Sequence, residues 1–526
     1  EVIKKSGGKV QAETEGNILV FTNVEPEDVI FIKYKIQSYY YGKIAKNFTA
    51  AFGFDSYIPI EYSRYGLLVA DKYKFEHKMF NADLTPTIKK VEDFNLYVWE
   101  KRKMAELKSE PFMPELCDIA PTLHISSIPS WQVISDWYSD LAYSKTEEDY
   151  EIRAVYETLF EGKKGLNDLA KAQIIYNYIQ KNIRYSSIPF RQGSYVPQKA
   201  AKTIATQLGD CKDVSSLFVA LGKLAGLKTR LVLVNTRDNG LNDLVLPSVG
   251  FNHCIAKLTT EGKDYYLELT DNVLPFGSLP PSLYNAAILE IPYPDEKVTA
   301  QLQHLKSDTR TLNETNFTMN ISLDKNDLKI KANCLKVGAL TSSFRYNLAE
   351  KSEEKQKEYV QKRLAENVKN VVSIQNIKFD NNLNSLGDSI SYEVDYTIKN
   401  EVIDVGEMSM FRLPIIDVVA TLEAFPQETR NFAVEYWEYE NIDLYNGSYI
   451  ISVPAGKTFT DLPADLSLNA NGNTYTLKYE KLADNQLKIT RKIQTNRNNI
   501  SPENYPAFKE FIEKLTKAET KYIAFK

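Results

Sequence analysis

The chain has 526 residues, too many for one hydrophobic core; at about 150 residues per domain it holds roughly three or four. Hydrophobic residues make up 43% of it, enough for each domain to bury a core. A net charge of -5 lacks the strongly basic face of a nucleic-acid binder, and no apolar run reaches the length of about 18–20 residues that spans a bilayer.

The chain begins at Glu1, in polar sequence and without methionine, so it reads as a mature or trimmed form, and the lack of a visible signal peptide carries little weight. Its first part, residues 1–145, reads as a β domain. Asn17 to Asn23 and Val29 to Gln37 alternate or run apolar with β-branched and aromatic residues, and Lys72 to Phe80 and Asn95 to Val98 continue the style. Ile128 to Tyr143 is aromatic-rich, with a helical second half leading into the next domain.

Residues 146–295 change to helices followed by strands, an α+β order. Leu166 to Ile183 carries one broad apolar face. A loop around Gly193 and Pro197 precedes a second helix, in which Val214, Leu217, Phe218, Leu221 and Leu224 recur at helical spacing and Gly226 is the stop. Strands are expected at Thr229–Asn235, His253–Leu258 and Tyr265–Thr270.

From residue 296 to 526 β patterning returns, at Phe317–Leu323, Leu328–Lys336, Ser389–Ile398, Tyr449–Val453, Tyr475–Lys481 and Leu487–Ile493. Turn clusters at Asp380–Asn384 and Asn469–Asn473 separate some of these. One helix is expected between Phe344 and Val368 and a terminal one between Pro506 and Thr516. The whole is a multidomain α+β protein, its α+β core flanked by sandwich-like β domains.

The four cysteines, Cys117, Cys211, Cys254 and Cys334, form no Cys-x-x-Cys pair, so neither a zinc ribbon nor a disulfide framework is suggested. Cys211 stands apart. It lies in Gly-Asp-Cys-Lys-Asp at a helix start, with Asp210 as N-cap, so its side chain projects at the positive end of the helix dipole, where a thiolate is favoured. A thiol nucleophile needs a base, and the base needs an orienting group. His253 is the only histidine in the α+β part. The turn Thr260 to Gly262 makes a hairpin of the two strands around it, which puts positions 268–270 opposite His253 and Glu268 within reach of the imidazole. Asp271 is the alternative third member should the strand end at Thr270, because one residue of register reverses the choice. The backbone N–H of Cys211 is a natural oxyanion donor, and Gln207, Gln192 and Tyr195 are side-chain candidates between which spacing does not choose.

Other features take plainer readings. Cys254 points to the opposite strand face from His253 and packs in the core. A zinc site from Cys211, His253 and Cys254 has no ligand-spacing motif behind it. The Asp324-Lys-Asn-Asp327 and Asp380-Asn-Asn382 clusters lack the glycine and closing glutamate of a calcium loop and read as turns. The run Lys351 to Arg363 reads as a solvated helix face.

Cysteine, histidine and acid in this chain order is the order of papain-like thiol catalysis. Tyr195-Val196-Pro197, Gly209-Asp210-Cys211-Lys212-Asp213, Leu224-Ala225-Gly226-Leu227, Phe251-Asn252-His253 and Tyr266-Leu267-Glu268-Leu269-Thr270 together resemble the core of the bacterial transglutaminase-like superfamily. Where that family usually has Asp-Pro-Thr, this chain has Glu268-Leu269-Thr270, so Glu268 falls at the catalytic aspartate's place. The whole chain resembles a three-part bacterial architecture with such a core between two β domains of unassigned function. The resemblance implies a papain-like core and export to the periplasm or cell surface. The expected function is a thiol enzyme that cleaves or transfers an amide of a protein or peptide through an acyl-thioester. It needs no cofactor or metal, and hydrolysis and transamidation stay open. The other class of function is a non-catalytic peptide-binding or envelope-assembly protein on an inactive core. Oligomeric state is not legible.

Overall fold

The computed structural model describes the whole chain except residues 17, 38, 39, 41, 187–194 and 367, and the side chains of 381 and 382. The chain divides into two compact units, Glu1–Asn47 and Phe48–Lys526.

The first unit is built of very short strands. Val2–Ile3 lies between Lys9–Val10 and Val29–Ile30, and Glu13–Glu15 pairs with Ile18–Val20. The strand expected over Val29–Gln37 therefore stops after two residues, and the one expected over Asn17–Asn23 covers only Ile18–Val20. From Phe31 to Gln37 no strand forms, and Phe31, Ile32, Tyr34 and Ile36 are exposed, so apolar alternation found no sheet to join. A lysine–aspartate pair, Lys4 with Asp28 at 2.7 Å, ties the turn to the sheet.

The second unit begins with two three-stranded sheets. Phe94–Met104 pairs on one side with Ile60–Ala70 and on the other with Thr87–Val91; Thr122–Ser126 lies between Thr49–Gly53 and Glu76–Phe80. Phe54, Trp99, Leu123 and Ile125 form the core of this region.

The α+β part follows. Helices Trp131–Tyr143, Tyr150–Phe160, Asp168–Asn182, Ala200–Thr206 and Cys211–Leu224 precede an antiparallel sheet. Its strand order is Lys263–Leu267, His253–Thr260, Lys228–Asn235, Ala287–Ile291, Gln303–His304. Ile175 and Ile179 of one helix, Val214, Leu217 and Phe218 of another, and Ala256 and Leu258 of the sheet share one core. Gly226, at φ +72°, ends the Cys211 helix as a left-handed stop, and Leu227 N donates back to the Gly222 carbonyl at 2.9 Å.

The C-terminal part is an eight-stranded sheet in the order Val372–Phe379, Ser389–Ile398, Asp327–Val337, Glu314–Asp324, Leu444–Ser452, Gln486–Gln494, Asn473–Ala483, Leu466–Ala470. Its neighbours are antiparallel except Glu314–Asp324 with Leu444–Ser452, which run parallel. A four-stranded sheet and the helix Tyr505–Glu519 complete it. The single helix expected between Phe344 and Val368 is two, Leu340–Leu348 and Glu353–Ala365. Glu350 takes a positive φ of 62°, and Ser352 caps the second helix, its hydroxyl accepting from Lys355 N. The Asp324–Asp327 cluster is a tight hairpin turn, and Asp380 is followed by a 3-10 turn, Asn381–Asn384. Among the described residues no helix is long and apolar enough to cross a membrane.

Candidate active site

Cys211 is presented by a capped helix. The Asp210 carboxylate accepts from Asp213 N at 3.3 Å, and the Asp213 carboxylate accepts from Asp210 N at 3.1 Å, a reciprocal capping box. The other oxygen of Asp213 accepts from Gln198 N at 2.8 Å, which fixes the incoming chain. Lys212 makes a buried ion pair with Asp210. Gly209 is required by space: a Cβ there would stand 2.9 Å from the Asp213 Cβ. The helix then sinks into the core, and Cys211 itself is 2% exposed.

His253 opens its strand opposite Val234. The hairpin pairs Ala256 with Leu267, so the register carried three residues on places 270 across from 253. The strand ends at Leu267, earlier than the expected Thr270. Glu268 then turns its carboxylate onto the ring, with Oε2 2.7 Å from His253 Nε2. Its other oxygen, Oε1, accepts from Thr270 N at 2.7 Å and from Thr270 Oγ1 at 2.6 Å. Cys211 lies within interaction range of the imidazole and helps to keep it charged. Since Nε2 serves Glu268, Nδ1 is the nitrogen left for the thiol.

The electrostatics follow from that geometry. Burial opposes a charge on His253, but the Glu268 carboxylate, its bond to the ring and the neighbouring Cys211 outweigh it and hold the imidazole well above its ordinary range. Burial likewise opposes the Glu268 charge, and His253 with the two Thr270 donors overcomes it, bringing the carboxyl down to about 2. The pair is thus an imidazolium–carboxylate pair beside the sulfur of Cys211.

The other expected residues lie elsewhere. The Asp271 carboxylate, the alternative third member, bonds Ser342 Oγ and accepts from Val273 N at 3.1 Å. Gln207 is the left-handed cap of the helix Ala200–Thr206, with an exposed side chain. Tyr195 packs edge-on against Trp137 at 5.3 Å. Gln192 lies outside the described residues. Cys254 is buried near Tyr138, with its carbonyl accepting from Ser215 Oγ at 3.2 Å. Burial pushes its thiol well up, as expected for a core cysteine.

Two neighbours were not anticipated. Tyr185 sits close enough to Cys211 and Glu268 that, after burial, their charges help push its hydroxyl up to about 12. It stays protonated and can donate. Thr270 is the second fixing point of Glu268; it stood in the quoted motif but its role needs the loop geometry. A cavity of about 560 Å³ adjoins the site, lined by Tyr185, His253, Glu268, Asp238, Pro281 and Ser342 among others. Among the described residues no lysine or arginine lines it.

A multidomain α+β protein with an imidazole–carboxylate pair beside a cysteine at a helix start is the class that this fold and site define. Residues 153–266 match the model of the transglutaminase-like superfamily, and the chain carries that superfamily's core. Cys211 and His253 fall inside the match, and Glu268 falls two residues beyond it. Residues 408–525 match a domain of unknown function with a solved structure, DUF3858. A solved candidate protease from Parabacteroides distasonis is similar over 91% of this chain and 75% of that one, at 13% identity and a TM-score of 0.54, a likeness of fold. A candidate cysteine protease from Cytophaga hutchinsonii is similar over 50% of this chain and 86% of that one, at 13% identity and a TM-score of 0.21. No curated protein matches the chain.

Proposed function

We propose that the protein is a thiol enzyme acting on an amide of a protein or peptide. The Cys211 thiolate, its proton already on His253, attacks the carbonyl carbon. The His253 imidazolium then gives that proton to the leaving amine as the C–N bond breaks, and an acyl-thioester on Cys211 remains. Water resolves it to an acid, or an amine resolves it to a new amide, with His253 again carrying the proton. Glu268 holds the ring and balances its charge. In this reading the Cys211 backbone N–H, at the helix start, and the Tyr185 hydroxyl are the donors for the developing oxyanion. Within this reading the three parts are residues 1–145, 146–295 and 296–526, with the chemistry in the second and the protein at the periplasm or cell surface.

The observation that carries this reading is the 2.7 Å bond between His253 and Glu268, with Cys211 beside the ring at the start of a capped helix. Its test is the pH dependence of Cys211 alkylation by iodoacetamide, followed by peptide mapping. Rapid modification near pH 6 that His253→Ala abolishes supports a thiolate–imidazolium pair. Modification that begins only near the free-thiol range of about 8.5, unchanged by the substitution, rejects it.

The second reading is a peptide-binding or assembly protein on an inactive core. The 2% exposure of Cys211 favours it, since a nucleophile must meet its substrate. The same alkylation experiment separates the two.

A further inference from the structure

The loop that carries Glu268 is held from two sides. Past Leu267 the strand has ended, so residues 268–274 have no ladder to fix them. On the core side, the Tyr176 hydroxyl lies 2.9 Å from the Glu268 carbonyl and 3.1 Å from that of Leu274. Asn272 Nδ2 donates to the carbonyls of Gln180 at 2.9 Å and Ile183 at 2.7 Å. On the other side stands the helix Leu340–Leu348. Ser342 Oγ donates to the Asp271 carboxylate, whose second oxygen accepts from Val273 N at 3.1 Å. Arg345 donates to the Val273 carbonyl at 3.3 Å, to Thr341 Oγ1 at 2.7 Å and to the Gly387 carbonyl. It is 2% exposed, and although burial brings it down to about 10, the carboxylates of Asp271, Asp380 and Asp388 support its charge. Ser342 and Arg345 lie outside both segments that match a family model.

We propose that Ser342, backed by Arg345, is a positioning residue for the chemistry at Cys211: the helix Leu340–Leu348 braces the Glu268 loop from outside the thiol core. The inference rests on the thiol-enzyme reading. Its physical basis is the length of the acid. A glutamate has one more rotatable bond than an aspartate, so its carboxylate loses more freedom when held at 2.7 Å from a ring nitrogen. Thr270 fixes the carboxylate end. The brace fixes the backbone from which Thr270 and Glu268 both project, three residues or fewer from Asp271. Loosening it lets the carboxylate drift, weakens the imidazolium and moves the onset of thiolate reactivity to higher pH.

The test uses the full chain and iodoacetamide as the probe. Rates of Cys211 modification are read by peptide mapping between pH 5 and pH 9 for the parent, His253→Ala, Ser342→Ala, Ser342→Thr and Asp271→Asn. Ser342→Ala and Asp271→Asn should each move the rising limb up by about half a pH unit, a rate about threefold lower at pH 6. Ser342→Thr, which keeps the hydroxyl, should restore the parent profile. A purely structural role would lower the melting temperature and leave the limb in place. Asp271→Asn cuts the same link from the core side and serves should Ser342→Ala fail to fold. A limb that moves in His253→Ala but in neither brace variant overturns the positioning role alone. A limb that His253→Ala leaves in place overturns the thiol reading, and this inference with it.

Discussion

Thr270 is to Glu268 what Glu268 is to His253: the residue that leaves it one orientation. Both oxygens of the Glu268 carboxylate are assigned, Oε2 to the imidazole at 2.7 Å and Oε1 to the Thr270 hydroxyl and backbone N–H at 2.6 and 2.7 Å.

Replacing Thr270 with valine removes the hydroxyl donor and keeps the backbone one. A hydrogen bond to a charged group contributes about 1.5–3 kcal/mol, so the carboxylate should swing and Cys211 alkylation at pH 6 should slow by about tenfold or more. Thr270→Ser should keep the parent rate. Equal rates in all three proteins would refute the assignment.

The pH dependence of stability should carry the mark of the same pair. Glu268 is held down at about 2, below the ordinary glutamate value of about 4.3, so its contribution is present above that ordinary value and is lost as pH falls through about 2. His253 is raised, so its contribution is full below about 6.5 and fades as pH climbs through the higher folded value. Urea midpoints of the parent and Glu268→Gln should therefore differ most between about pH 4.3 and 6.5 and converge toward pH 2. Parallel curves across the range would show that no such linkage exists.

Asp210 has two duties, and the larger is not the cap. Losing an N-cap costs about 0.5–2 kcal/mol, whereas leaving a buried partner charge alone costs about 3–5 kcal/mol. Asp210→Ala takes its ion-paired carboxylate away from the buried Lys212 ammonium, so the greater loss is expected, and the double variant Asp210→Ala/Lys212→Met should be more stable than the single one. Chemical denaturation of the four proteins of this cycle checks it; a double variant weaker than both singles would count against the account.

Gly209→Ala tests the packing behind the helix start. The added methyl would meet Asp213 Cβ at 2.9 Å and Thr203 Cγ2 at 3.2 Å. Overpacking of this kind costs about 1–3 kcal/mol. Thermal melting should show that loss, and an unchanged melting temperature would mean that the neighbours yield freely.

Much of the architecture was legible because burial writes a period into the sequence. Leu217, Phe218 and Leu221 announced the helix behind Cys211, and the alternation over Ser389–Ile398 announced its strand with the bounds the structure gives. The pattern misled where apolar residues had no partner, as at Phe31 to Ile36, which alternate in sequence but stay exposed. The break between the helices at 340–348 and 353–365 turned on one left-handed residue, Glu350, and a charged run hid it. At the candidate site, the hairpin turn and strand period brought Glu268 into reach of His253. The brace was not legible, since Ser342 and Asp271 stand 71 residues apart and no local pattern links a serine on one helix to an aspartate in a loop.

The one parallel pairing in the C-terminal sheet sets where the gene can be cut. Glu314–Asp324 and Leu444–Ser452 lie side by side although Asn316 and its partner Asn446 are 130 residues apart. A fragment that stops after Ser342 or Arg345 would leave an eleven-residue strand with an open edge and Phe317, Met319 and Ile321 on its inner face, a template for intermolecular pairing. A minimal working piece cannot end soon after the helix that touches the thiol core; its natural terminus lies past the distant strand that closes that edge.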